Sequence, residues 1–117
     1  MQCGVSTEKY EKIYGMLIEE VFEALPQIKI IIMEPFILKG SATAKLWEDF
    51  KVEVKARGEA AKRVALKYGL CFVELQNKFD EAANGNEEEL SADGIHPTIT
   101  GHRIIKEELT KAILSII

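Results

Sequence analysis

Two short apolar runs, set among long helical patterns, limit what this chain can fold into. Residues 28–33 read Ile-Lys-Ile-Ile-Ile-Met, and residues 70–75 read Leu-Cys-Phe-Val-Glu-Leu. The first is β-branched with almost no polar alternation, the pattern of a strand buried on both faces in a parallel sheet. Glu34-Pro35 closes it, and a loop over 35–43 holds Lys39-Gly40-Ser41.

Helices account for most of the rest. Ser6 or Thr7 can cap a helix over 7–25. Its apolar stripe is Tyr10, Ile13, Tyr14, Leu17, Ile18, Val21 and Leu25, and Pro26 ends it. A second helix spans about 44–68, with Trp47, Phe50, Val54, Ala61, Val64, Ala65 and Tyr68 on one side. Gly58 is a weak point costing roughly 1 kcal/mol against alanine, and Gly69 is a stop. A short helix fits 76–83, a polar surface loop 84–91, and a last helix 98–117. The order α-β-α-β-α-α predicts an α/β layered fold with two parallel strands flanked by helices. Two strands make a poor core, because independent stability normally needs three. The chain reads as part of a doubly wound domain.

Composition narrows the class. At 117 residues the chain has the length of a single domain, here a truncated one over 1–117. Its 47% hydrophobic and 29% charged content excludes disorder. A net charge of −4 argues against a nucleic-acid binder. No apolar run approaches the roughly 20 residues of a membrane span. Met1-Gln2-Cys3-Gly4 has neither the basic nor the apolar region of a signal peptide. The expectation is a cytoplasmic protein, unless a missing N-terminal part carried a signal. Cys71 reads as a small buried hydrophobe and Cys3 as part of a frayed terminus. The two lack metal-ligand spacing.

One segment carries chemistry: Asp93-Gly94-Ile95-His96-Pro97-Thr98, in the loop before the last helix. An Asp three residues before a His can set its carboxylate against the imidazole Nδ1–H. That contact fixes the tautomer and leaves Nε2 as a general base for a serine hydroxyl. The same residues also serve as ordinary loop and cap residues around a surface histidine.

The longer string Asp93-Gly94-Ile95-His96-Pro97-Thr98, then Gly101-His102, resembles the final conserved block of the SGNH (GDSL) hydrolases, lipases and esterases of flavodoxin-like three-layer α/β fold. The strand Ile30-Ile31-Ile32-Met33-Glu34-Pro35 and the phrase Tyr68-Gly69-Leu70 also fit the family's rhythm. The resemblance covers nearly the whole chain but only the C-terminal part of the family's domain. It implies that Asp93 is the acid and His96 the base of a Ser-His-Asp triad acting on carboxylic esters, with no cofactor and no metal. It also implies that the two strands are the fourth and fifth of the full domain. The Gly-Asp-Ser block with the nucleophile, the intermediate-block glycine, and the Gly-x-Asn-Asp block with an oxyanion donor have no counterpart here.

Other residues offer weak substitutes. Ser41 follows a strand, where α/β sites lie, and is a candidate replacement nucleophile or an ordinary loop serine. Ser6 reads as a helix cap and Ser91 as a turn former. His102 reads as a packing or hydrogen-bonding residue. It lies six positions from His96, which matches no usual zinc spacing. Glu87-Glu88-Glu89 reads as a solvated loop without the alternating ligands of a calcium site.

Two functions follow. One is the C-terminal portion of an esterase or lipase, taking a small ester substrate and inactive alone. The other is a non-catalytic α/β fragment that persists as a homo-oligomer, pairing through strand 29–34 or exposed helix faces. A response-regulator-like binding module is a weaker fit, because no acidic cluster follows the first strand.

Overall fold

A computed structural model describes residues 4–117. Helix α1 spans Thr7–Ala24 and is capped by Ser6, whose Oγ accepts from the Lys9 amide at 3.2 Å. Glu8 sits in its first turn, facing the positive end of the helix dipole. Strand β1 spans Ile31–Met33. A 3-10 turn, Ala44–Leu46, leads into α2, Trp47–Tyr68. Gly69 ends α2 in the left-handed conformation (φ 65°), and the Leu70 amide bonds back to the Ala65 carbonyl at 2.8 Å. Strand β2 spans Cys71–Val73, α3 Gln76–Ala83 and α4 Ile99–Ile116.

The strands are parallel, with Ile31 opposite Cys71, Ile32 opposite Phe72 and Met33 opposite Val73. They are shorter than the apolar runs that encode them. Residues 28–30 precede the register and have no partner, and Leu75 already caps α3. A ladder extends only as far as both partners do.

Side-chain alternation divides the strands between two cores. Ile32 is buried with Ile18 of α1 and Ala61, Val64 and Ala65 of α2, and Phe72, Ile30 and Leu70 pack there too. Val73 lies on the other face with Leu38, Phe79, Leu90 and Ala112, against which Ile31, Cys71, Ile104 and Ile105 pack. Phe36 stacks on the buried Phe79 at 4.0 Å between ring centroids. The result is helix–sheet–helix layering, with α1 and α2 on one face and α3 and α4 on the other.

Two expectations are corrected. The apolar stripe of α1 is wider than its contact with α2, so Ile13, Leu17 and Leu25 are exposed. The segment 84–91 is not wholly a surface loop. It contains a 3-10 turn, Glu87–Glu89, and its last two residues, Leu90 and Ser91, are buried against the start of α4. Cys71 is partly buried, as a small core residue should be, while Cys3 lies outside the described residues. Among the described residues no helix is long and apolar enough to cross a membrane.

Candidate functional site

The loop before α4 is held from both ends. On the helix side, Thr98 Oγ1 accepts from the Gly101 amide at 3.1 Å and donates to the Glu89 carbonyl at 2.7 Å. The Thr98 amide donates to the Leu90 carbonyl at 2.8 Å. One threonine therefore caps α4 and ties it to the preceding segment.

Within the loop, Asp93 organises its successors. Its Oδ1 accepts from the amides of Ile95 and His96, each at 2.8 Å. Its Oδ2 lies 2.6 Å from His96 Nδ1. The His96 ring donor and these two amides hold the Asp93 carboxyl well below the usual carboxylate range. An ionised carboxylate can only accept, so Nδ1 carries the proton and Nε2 of the neutral ring keeps its lone pair. The His96 side chain is 82% exposed, so that lone pair faces solvent.

Ser91 closes the turn from beneath. It is completely buried. Its Oγ accepts from the Gly94 amide at 3.0 Å and lies 2.8 Å from the His96 carbonyl and 3.2 Å from Asp93 Oδ1. A hydroxyl has one proton to give, and the shorter contact to the carbonyl takes it. Gly94 adopts φ 92°, and a Cβ there would fall 2.2 Å from the Leu38 carbonyl oxygen. Only glycine fits both the backbone angle and the space.

The structure thus brings Asp93 and His96 together as the spacing predicts, and the serine beside them, Ser91, meets the Asp93 carboxylate and the His96 carbonyl, not the imidazole. Among the described residues no serine hydroxyl is hydrogen-bonded to His96 Nε2. Ser41 is exposed on the loop after β1, and Ser91 is committed to the backbone. His102 is exposed on α4 and its ring makes no hydrogen bond among the described residues, so it is neither a packing nor a bonding residue. A cavity of about 400 Å³ opens beside Glu34, Trp47, Gln76 and Asp80, at the carboxyl ends of both strands, but neither Asp93 nor His96 lines it.

Three contributors escaped sequence reasoning wholly or in part. Ser91 forms the turn as expected, but its complete burial as the staple of the loop has no local signal. Gly40 and Thr43 clasp the loop from the other side. The one signal for Gly40 was its place in the Lys39-Gly40-Ser41 segment that follows a strand.

No family model matches the sequence, and no curated protein does. Solved structures do. A protein described as a GDSL-like lipase, from Parabacteroides merdae, superposes with a TM-score of 0.80 at 26% identity, over 92% of this chain and 49% of that one. The acetylxylan esterase Axe2 from Geobacillus stearothermophilus gives 0.74 at 25% identity, over 93% of this chain and 48% of that one. The esterase domain of the zebrafish ZfL2-1 retrotransposon ORF1 protein gives 0.76 at 22% identity, over 97% and 62%, and bears on the fold alone. The chain spans about half the length of the first two. With its two parallel strands between helix layers, it has the fold of the C-terminal part of an SGNH (GDSL-type) hydrolase.

Proposed function

We propose that this chain carries the acid–base half of an SGNH-type ester hydrolase. The observation that supports this most is the 2.6 Å contact between Asp93 Oδ2 and His96 Nδ1, with Nε2 open to solvent. In the reaction, Nε2 takes the proton of an attacking serine hydroxyl as its oxygen adds to the ester carbonyl. It then returns that proton to the departing alcohol, leaving an acyl-serine. Water then adds to the acyl carbonyl, losing a proton to Nε2, which passes it to the serine oxygen as the acyl–oxygen bond breaks and the acid leaves. Asp93 holds the ring and stabilises the imidazolium formed at each step. The serine and the oxyanion donors come from polypeptide outside this chain, and the chain alone is inactive. Acetylated carbohydrate is the substrate class suggested by the acetylxylan esterase likeness.

The test is hydrolysis of a short-chain aryl ester by the pure protein and by His96→Ala. Equal rates are expected, with no serine labelled by a fluorophosphonate. A rate that vanishes in the variant, or labelling of Ser41, overturns the half-site reading. Fused behind the nucleophile-bearing half of the Parabacteroides protein, the same chain should hydrolyse ester, and His96→Ala should lower that rate by about 10³-fold or more.

A second reading is a non-catalytic fragment that persists by self-association. The open edge of β1 favours it: among the described residues only β2 pairs with β1, and Ile28 and Met33, just before and within the strand, are exposed. Two copies pairing through these edges would form one four-stranded sheet. Light scattering at high concentration should then give twice the 13.1 kDa chain mass. A single-chain mass throughout removes this reading.

A further inference from the structure

The loop after β1 grips the Asp93–His96 loop through its backbone. Three consecutive carbonyls, those of Ala92, Asp93 and Gly94, accept from the amides of Ser41 (3.1 Å), Ala42 (3.0 Å) and Leu38 (2.9 Å). The gripping loop is in turn held by Thr43, which is completely buried. Thr43 Oγ1 donates to the Leu38 carbonyl at 2.6 Å and accepts from the Gly40 amide at 2.8 Å. The loops approach closest at Gly40, where a Cβ would fall 2.4 Å from the Gly94 nitrogen and 2.5 Å from the Asp93 carbonyl carbon. Gly40 is not among the positive-φ glycines, so the neighbouring loop, not its own backbone, demands glycine there.

We propose that Thr43, together with Gly40, is a positioning residue for the Asp93–His96 pair. Thr43 fixes the shape of the loop after β1, and that loop clamps residues 92–94. The clamp sets the turn in which Asp93 gathers the amides of Ile95 and His96 and the His96 ring. The inference rests on reading Asp93 and His96 as the acid–base pair. Valine matches the shape of Thr43 but leaves the buried Leu38 carbonyl and the part-buried Gly40 amide without their partner, which favours opening the loop to water. Asp93 then loses the geometry that holds its titration below the ordinary carboxylate range. The groups facing its carboxylate are His96, the two amides and Ser91, so its titration midpoint reports on that geometry.

The experiment is carbon-13 NMR titration of the side-chain carboxyls in the full chain, Thr43→Val, Thr43→Ser and Gly40→Ala. In the unaltered protein Asp93 titrates far below about 3.9, the ordinary aspartate value. Thr43→Val and Gly40→Ala are expected to raise the midpoint to near that value with helix content retained. Thr43→Ser keeps the hydroxyl and should stay with the parent. A simple loss of packing would lower the melting temperature without moving the midpoint. Folded Thr43→Val and Gly40→Ala proteins with the parental midpoint overturn the clamp, as does an equal rise in Thr43→Ser. If only Gly40→Ala folds, its midpoint decides. If neither folds, amide exchange in the unaltered chain decides: the Leu38, Ser41 and Ala42 amides must open together with those of Ile95 and His96, and independent opening overturns the clamp. Ester hydrolysis is not read in this experiment, so a failed hydrolase reading leaves these midpoints unchanged. A failed clamp leaves the His96 dependence of the fusion unchanged.

Discussion

The buried Ser91 hydroxyl donates to the His96 carbonyl oxygen at 2.8 Å, binding the first residue of the loop to the one that carries the imidazole. Ser91 Oγ itself accepts from the Gly94 amide. Replacing Ser91 by alanine strands the buried Gly94 amide and the part-buried His96 carbonyl together. The expected loss is about 1–3 kcal/mol, the desolvation cost of unpaired buried groups. Urea unfolding of Ser91→Ala measures it. A loss within about 0.5 kcal/mol, typical of surface substitutions, would show that the loop does not depend on this staple.

Asp93 makes stability depend on pH. Its carboxyl titrates lower in the folded chain than in the unfolded one, because the folded chain supplies the His96 ring and two amides as donors. The native state therefore binds fewer protons than the unfolded state in the acid range, and stability falls as pH falls. The contribution is complete above about pH 3.9, the unfolded value, and is lost as pH drops through the folded value. Asp93→Asn lacks it at every pH. Denaturant midpoints of the two proteins should differ at neutral pH and converge in strong acid. A constant gap down to the lowest accessible pH would contradict this account.

Glu34 has a structural task at the end of β1. Its Oε1 accepts from the amides of Leu75 (2.9 Å) and Gln76 (2.8 Å), the first donors of α3. A carboxylate there satisfies two helix-end donors and faces the positive end of the dipole. Glu34→Ala should cost about 0.5–2 kcal/mol, as lost caps do. Glu34→Gln keeps an acceptor oxygen and should cost less. Amide exchange at Leu75 and Gln76, alongside thermal unfolding, separates the two variants. Equal losses would assign the effect to the charge and not to the acceptor oxygen, whereas no loss in Glu34→Gln would remove the dipole from the explanation.

Phe79 is the largest completely buried side chain, with Phe36 stacked upon it. Phe79→Ala should cost about 3–5 kcal/mol by transfer and cavity terms. That is a large share of the roughly 5–15 kcal/mol by which a domain is stable, so the melting temperature should fall sharply. Circular dichroism of the variant shows it directly. A cooperative melt near the parental temperature would mean that the cavity collapses.

The helices were legible because their signals are local. Ser6, Gly69 and Thr98 act within a few residues of themselves, and the Asp93–His96 contact spans a single turn. The strand ends were not legible, because they depend on where a partner 40 positions away begins, as Ile31 opposite Cys71 shows. For the same reason Glu34 reads as a strand terminator, although it caps a helix 41 residues on. Thr43 gives no sign in the sequence that its hydroxyl is buried beneath another loop. The two loops meet only after both strands have aligned.

The alternation along β1 and β2 has a mechanical meaning. Ile32 belongs to one core and Ile31 to the other, and Phe72 and Cys71 repeat the division. Five of the six strand residues form the shared wall of both layers, Met33 being exposed. Neither layer can melt while the other keeps its wall, so the protein should come apart in one concerted step.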